Sequence, residues 1–263
     1  VPIGIAVVIV WVLLAILAPT IAPQDPLDQD VSNRLQPPSQ TSLMGTDELG
    51  RDIFSRVLYG GRITIPAALA VVIVVSIIGT LTGALAGYKG GTWDEILMRL
   101  TDLFMAFPTI ILAMAVTAAL GADIRNAVLA LIIVRWPNYS RLTRGLVLEA
   151  KNQDYVKASR SLGAGHTHIL GRTILPNTIA AALIYASLDI GNAILLFAGL
   201  SFLGLGPEPA SPEWGRMVSI GIDFFDQWWM WLFPGLAIAT LVLAFNFIGD
   251  GLRDILDPHT RKL

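Results

Sequence analysis

Long stretches without a charged residue dominate this sequence. Residues 1–22, 63–88 and 103–122 contain no Asp, Glu, Lys or Arg. A helix crosses the hydrocarbon core of a bilayer with about 20 apolar residues. Each of the three runs is therefore long enough to span a membrane.

Three further runs are apolar but carry polar interruptions. Residues 126–139 contain Arg135 and Pro137, residues 178–205 contain Asp189, and residues 228–249 complete the set. The sequence thus predicts an all-α, multi-pass transmembrane helical bundle of about six spans.

The composition supports a membrane protein and excludes several other classes. Only 14% of the 263 residues are charged, whereas a soluble domain carries about 25%. The net charge of −2 does not fit a nucleic-acid-binding protein. The absence of cysteine excludes disulfides, thiolate zinc sites and cysteine nucleophiles.

The distribution of basic residues predicts the orientation. If the first span leaves the cytoplasm, the cytoplasmic loops hold eleven Lys and Arg residues and the outer loops hold six, together with eleven of the 20 acids. Cytoplasmic loops are enriched in Lys and Arg. We therefore expect both termini in the cytoplasm, residues 23–62 and 206–227 outside, and residues 140–177 inside, in a cell (inner or plasma) membrane.

The runs also suggest a division of the chain. Residues 1–22 lack a convincing cleavage site and are predicted to be an uncleaved anchor. Residues 23–61 form an outer loop with a short interfacial helix at 47–59, since Leu49, Ile53, Val57 and Leu58 share one helical face. Residues 62–258 form the transmembrane domain with its cytoplasmic loop, and residues 259–263 form a tail.

Glycines recur every fourth residue along the second span, at Gly79, Gly83 and Gly87. Small residues at this spacing allow another helix to approach closely in lipid. We predict a helix-packing surface here.

The cytoplasmic loop contains a short helix pattern at 154–162. Tyr155, Ala158, Ser159 and Leu162 share one face by the i, i+3, i+4, i+7 rule, while Lys157 and Arg160 point away. The following Gly163, Ala164 and Gly165 end the helix. Such a helix suits docking into a groove of a soluble partner, and it equally suits lying on the lipid surface.

Motifs for catalysis are absent from the sequence. There is no G-x-x-x-x-G-K-[ST] loop for nucleotide phosphates, no H-E-x-x-H and no G-x-S-x-G. His166 and His168 lie in a loop without nearby cysteine or acid and do not indicate a metal site. We predict no catalytic residue and no metal in this chain.

Asp189 is the one acid well inside a predicted span. A carboxylate near the bilayer centre is costly, so it needs water, a cation or a hydrogen-bond donor. Two interpretations stay open. Asp189 and Asn192 form a polar stripe that lines a translocation pathway, or Asp189 makes a structural pair, for example with Arg135.

Several segments together resemble the permeases of ABC importers, in the dipeptide/oligopeptide/nickel group and within it the dipeptide permease C subunits. Asp154 to Ala164, followed by Leu175-Pro176, resembles the EAA loop of that family. The resemblance covers nearly the whole chain, and its other motifs lie at 43–52, 200–206, 234–238 and 243–258.

The resemblance implies a type I ABC importer permease fold and one half of a heterodimeric pore. It implies as partners a homologous second permease, two ATPase subunits that bind ATP and Mg, an extracytoplasmic peptide-binding protein and membrane lipid, with no cofactor in this chain. The residues expected to couple to the ATPases are Asp154, Tyr155, Ala158, Ser159, Leu162, Gly163 and Ala164.

Two departures and three alternatives accompany this interpretation. The EAA position contains Lys157-Ala158-Ser159, and Asp189 occupies a position where a small neutral residue is expected. The alternatives are a nickel or glutathione importer subunit, a secondary transporter driven by an ion gradient, and a membrane enzyme. An ion-driven transporter needs ionisable relays near the midplane, for which Asp189 is the one clear candidate.

Overall fold

The computed structural model describes residues 1–256, so the predicted tail at 259–263 and His259 lie outside the described residues. Within residues 1–256 the fold is helical, and its β-structure is one isolated bridge between Thr46 and Asp52. The helices are α1 (Pro2–Ile21), α2 (Ile53–Lys89), α3 (Gly91–Met105), α4 (Thr109–Leu120), α5 (Ile124–Ala150), α6 (Asp154–Ser161), α7 (His166–His168), α8 (Leu175–Phe202), α9 (Trp214–Asp223) and α10 (Trp228–Leu256).

Four of the described helices are long and apolar enough to cross a membrane, fewer than the predicted six. They are α1, α2, the continuous helical run from α7 through α8, and α10. A fifth span is possible if α3 and α4 are counted as one, although they meet at 87°. The remaining candidate, α5, is long enough, but the polar residues from Arg135 onward lower its mean hydropathy.

The bend between α3 and α4 falls inside the run predicted as the third span, 103–122. Pro108 lies directly before α4 with ψ of 127° and accounts for the break. Proline disfavours a helical conformation at the preceding residue and lacks a backbone N–H. An uncharged run of spanning length therefore contains two helices.

The separate interfacial helix predicted at 47–59 is wrong. Residues 47–52 form a turn, and α2 begins at Ile53 and continues without a break for 37 residues. Asp52 caps this helix by accepting a hydrogen bond from the Ser55 backbone N–H at 2.7 Å. Gly60 and Gly61 lie within this helix and do not end it. A Cβ at Gly60 would lie 2.4 Å from the Trp214 ring, so Gly60 makes room for a distant indole.

The glycine series of α2 lies against α5. A Cβ on Gly79 would come within 2.3 Å of the Tyr139 Cβ, and one on Gly83 within 2.2 Å of the Ser140 carbonyl oxygen. On Gly87 it would come within 2.8 Å of the Arg144 carbonyl oxygen. The backbones of α2 and α5 therefore approach each other closely along three turns, which is the small-residue packing typical of membrane helices.

Around this pair, α8 and α10 complete the core, and α1 packs on the outside against α2 and α10. Val71, Leu131, Phe197 and Leu241 are fully buried at the centre. Large apolar side chains of α1 and α2 are exposed instead, among them Ile3, Ile9, Ile16, Ile73, Ile77 and Leu81. This distribution suits a bundle surrounded by lipid.

Candidate functional site

The short helix α6 begins and ends where the local sequence allows it. Its N-cap is Gln153, without a side-chain capping bond. Asp154 accepts a hydrogen bond from Lys157 Nζ at 2.9 Å. Gly163 follows with φ of +82°, a conformation that glycine adopts without a steric penalty, and this ends the helix.

One side of α6 is anchored in the protein. Val156 is fully buried and packs in an apolar cluster with residues of α2, α5 and the segment before α8. Its partners in that cluster are Ala84, Val147, Ala150, Ile169 and Ile174. Helix α6 therefore packs against the ends of α2 and α5 and is not part of a loop without contacts.

The opposite side of α6 is free in this chain. Tyr155 is 42% exposed and Leu162 is 89% exposed, and Ala158 is exposed beside them. Ser159 and Ala164 are half-buried, and Gly163 is exposed. The predicted face is thus mostly uncovered, while the anchoring residue Val156 was missed because burial on that side depends on α2 and α5.

Polar contacts hold the seat of α6 in place. Lys151 Nζ donates to the backbone carbonyl oxygen of Gly87 at 3.2 Å. Tyr88 Oη lies 3.0 Å from His166 Nδ1, and Arg144 pairs with both carboxylate oxygens of Asp94 at 2.5 and 2.7 Å. These bonds join the end of α5 to α2, α7 to α2, and α5 to α3, around the apolar cluster that holds Val156.

Asp189 of α8 is buried, and the side chain of Asn192 hydrogen-bonds its carboxylate. Asp189 is 2% exposed, whereas Asn192 is exposed. Arg135 Nη2 donates to Asp189 Oδ1, and Tyr139 Oη donates to Oδ2 at 3.0 Å. The structure shows the ion pair with Arg135 that the second interpretation expects, and the pathway-lining role of Asp189 and Asn192 stays a prediction.

A buried ionic network on the predicted outer side was missed by the sequence analysis. Arg51 and Arg56 are 2% and 1% exposed. Arg51 Nε donates to Asp47 at 2.6 Å, and Arg56 donates to the carbonyl oxygens of Pro26, at 2.8 Å, and Ala210, at 3.2 Å. The Asp47–Arg51 spacing of four residues was the available signal. The network joins the first outer loop to the loop after α8.

Glu213 and Trp214 anchor α9 in the same region. Glu213 is fully buried and accepts hydrogen bonds from the backbone N–H groups of Gly215 and Arg216 at 3.0 and 2.9 Å. Thr64 Oγ1 donates to it at 3.2 Å. Burial raises the pKa of the Glu213 carboxyl above its ordinary value of 4.5, since the charged form loses hydration.

No arrangement for a metal was found in the part of the chain that the structure describes: no three His, Asp or Glu side chains are grouped suitably within residues 1–256. His166 is engaged by Tyr88. What the geometry offers is a short helix anchored by Val156, with an exposed, weakly apolar face, on a membrane bundle.

This arrangement agrees with comparisons against known proteins. Residues 76–262 match the family model described as the inner membrane component of binding-protein-dependent transport systems. The chain belongs to this permease family. Residues 3–38 also match the N-terminal transmembrane domain of oligopeptide transport permease C.

Curated relatives of this permease cover nearly its whole length. The dipeptide transport system permease protein DppC of Escherichia coli strain K12 is 45% identical over 99% of this chain and 89% of the relative. The di/tripeptide transport system permease protein DppC of Pseudomonas aeruginosa is 43% identical over 98% of this chain and 88% of the relative.

Solved structures show the same fold at low identity. A chain of the MetNI methionine ABC transporter in an inward-facing conformation superposes with a TM-score of 0.64 at 18% identity, covering 78% of this chain and 98% of that chain. An amino acid ABC transporter crystallised with histidines gives a TM-score of 0.56 at 16% identity, covering 80% and 95%. The permease therefore has the type I ABC importer fold, as predicted.

Proposed function

We propose that this permease forms one half of a heterodimeric pore for an ATP-driven importer of dipeptides or oligopeptides. The observation that carries the proposal is the free face of α6, held on a buried Val156 anchor. The names of the curated relatives supply the substrate class. A homologous second permease completes the pore, and an extracytoplasmic binding protein delivers the peptide.

The face of α6 suits a protein groove better than water. Tyr155 is 42% and Leu162 is 89% exposed, and burying a side chain of this size stabilises a complex by about 2 kcal/mol. Ala158 lies between them on the same face, where its small side chain allows close approach. An ATPase subunit that closes on ATP would therefore move α6, and with it the ends of α2 and α5.

In this proposal the partner subunits bind and hydrolyse ATP. The sequence has no phosphate-binding loop, so ATP and Mg are bound by two ATPase subunits and this chain contributes no hydrolysis. The chain itself needs no cofactor.

The structure also bears on the rival from another class. A secondary transporter requires an ionisable relay near the midplane that protons or ions can reach. Asp189 was the one clear candidate, and it is buried and paired with Arg135. In this proposal Asp189 serves to hold α5 and α8 together, and no ion relay is required at its position.

The test is transport by the complete complex in proteoliposomes, with ATP enclosed and binding protein added outside. We expect uptake of a labelled dipeptide that requires ATP and continues when ionophores collapse all ion gradients. Competition by excess unlabelled dipeptide, but not by Ni²⁺ or glutathione, supports the peptide assignment. Uptake driven by an imposed proton gradient without ATP would overturn the proposal.

A further inference from the structure

The ion pair between Arg135 and Asp189 joins the two helices that flank the cytoplasmic helix. Arg135 lies on α5, which leads into α6, and Asp189 lies on α8, which follows it. At a rise of 1.5 Å per residue, Arg135 is about 22 Å from the cytoplasmic end of α5, and Asp189 is about 21 Å from the start of α8. The pair therefore links both arms at the same height, deep in the bundle.

The pair is enclosed, and both oxygens of its carboxylate accept hydrogen bonds, with the Asn192 side chain as a further partner. The Arg135 and Asp189 side chains are 5% and 3% exposed. One carboxylate oxygen accepts from Arg135 Nη2, and the other accepts from Tyr139 Oη at 3.0 Å. The Tyr139 ring also contacts Tyr185 edge-to-face, with centroids 4.8 Å apart, so α5 and α8 are joined by two polar contacts and one aromatic contact.

The guanidinium, in contrast, is used at only one nitrogen. Arg135 Nε and Nη1 are buried and have no hydrogen-bond partner within the described chain. A guanidinium presents five N–H donors in a planar fork, and its strong carboxylate contacts are usually bidentate. Asp189 thus uses the Nη2 donor, and the neighbouring Nε and Nη1 donors of the same guanidinium are left without a partner within the described chain.

We propose that Arg135 and Asp189 form a sliding link that gives α5 and α8 two discrete relative positions during transport. In the position seen here, the carboxylate contacts Nη2 alone. When α6 moves, α8 shifts along α5 and the carboxylate gains a neighbouring donor of the same guanidinium. The link thus survives the shift and limits its extent.

The ion pair supplies a directional contact between α5 and α8, which the apolar side chains around it cannot provide. Lipid tails are as apolar as the helix surfaces, so no hydrophobic force holds α5 and α8 in a fixed relation. The seat of α6 reaches only their cytoplasmic ends. A directional contact at mid-depth lets movement of α6 reach the centre of the bundle instead of splaying the two arms. This inference rests on the proposed ATP-driven function and concerns its coupling step.

A merely stabilising role makes a different prediction. A buried ion pair can often be replaced by apolar side chains of similar volume without loss of stability. The double variant Arg135→Met with Asp189→Leu therefore tests the link separately from folding. Arg135→Lys provides a second test, because lysine keeps the charge but lacks the planar fork.

The experiment uses the complete complex in proteoliposomes and measures assembly, ATP hydrolysis and dipeptide transported per ATP hydrolysed. We expect both variants to assemble and to hydrolyse ATP, with transport per ATP reduced at least about fivefold, the scale of a typical coupling between sites. The control removes an exposed ion pair within α3, by Arg99→Gln with Glu95→Gln, and should leave this ratio unchanged.

Each outcome decides the proposal. An unchanged ratio in either assembled variant would overturn the sliding link. Failure of both variants to assemble would also overturn it, by making the pair a folding requirement. If one variant fails to assemble, the ratio in the other decides. Absence of ATP-dependent uptake in the wild-type complex would count instead against the proposed function.

Discussion

The indole Nε1 of Trp214 donates a hydrogen bond to the backbone carbonyl oxygen of Val57 at 2.8 Å, across 157 positions of sequence. The Val57 carbonyl belongs to the first turns of α2, and Trp214 begins α9. The same indole packs against Gly60. One side chain thus sets how far α9 is shifted along α2 and how closely the two helices pack. This contact organises the end of the bundle at which α2 begins.

Gly60→Ala should destabilise the protein by about 1–3 kcal/mol, the usual cost of overpacking a buried site. The added Cβ would lie 2.4 Å from the Trp214 ring, which is itself fully buried and cannot move aside freely. Thermal unfolding of the purified complex measures the effect. Gly145→Ala is the matched control, because a Cβ there meets nothing within 4 Å. Equal melting temperatures for the two variants would contradict the packing argument.

Glu213 should make stability depend on pH. Because burial raises its folded pKa above 4.5, the folded state binds a proton more tightly than the unfolded state. The resulting stabilisation is complete below the unfolded pKa and is lost as pH rises through the folded pKa. The melting temperature of wild type relative to Glu213→Gln should therefore fall as pH is raised from about 5 to about 8.

Glu208→Gln serves as the control for this pH series, because Glu208 is an exposed acid in the same outer loop. Its difference from wild type should stay nearly constant over the same range. A difference between wild type and Glu213→Gln that is equally flat would show that Glu213 does not titrate with folding.

Ala158→Asp should abolish binding of the ATPase subunits while leaving the permease pair assembled. The new carboxylate would be buried without a partner in the contact, which costs about 3 kcal/mol or more, equivalent to at least a hundredfold in affinity. The loss can be measured by co-purification and by the affinity of the ATPase subunits for the immobilised permease pair. Thr167→Asp places the same charge on α7, outside the α6 face, and should bind the ATPases nearly as wild type does. Normal peptide uptake by Ala158→Asp cells would refute the docking assignment.

The helical bundle was predictable because the length of an uncharged run can be compared directly with the thickness of the bilayer core. The continuous helix at 53–89 was not, since the glycine at position 60 is explained by Trp214, more than 150 positions away. The count of four to five apolar spans differs from the predicted six for a local reason as well, because Pro108 divides an uncharged run into two helices. Hydrophobic runs reveal membrane segments but not where a segment bends.

In the candidate site, too, features set by neighbouring residues could be predicted, whereas features set by residues far away in the sequence could not. The exposed face of α6 follows from the spacing of Tyr155, Ala158 and Leu162 alone. Burial of Val156 depends on α2 and α5, and the partner of Asp189 lies 54 positions away on another helix. The sequence indicated that Asp189 needed a partner, and it offered Arg135 only as one possibility.

The orientation of the chain can be tested with single cysteines, because the sequence contains none of its own. The outer assignment of residues 23–62 places Asp28 outside, and the cytoplasmic assignment of residues 140–177 places Ser161 inside. Both side chains are exposed in this structure, so a thiol at either position is open to a reagent that reaches its side of the membrane. With a membrane-impermeant maleimide on intact cells, or on spheroplasts where an outer membrane is present, Asp28→Cys should be labelled and Ser161→Cys should not. Permeabilised cells provide the control, in which both variants should react. Labelling of Ser161→Cys from outside would reverse the topology and remove α6 from the compartment that holds ATP.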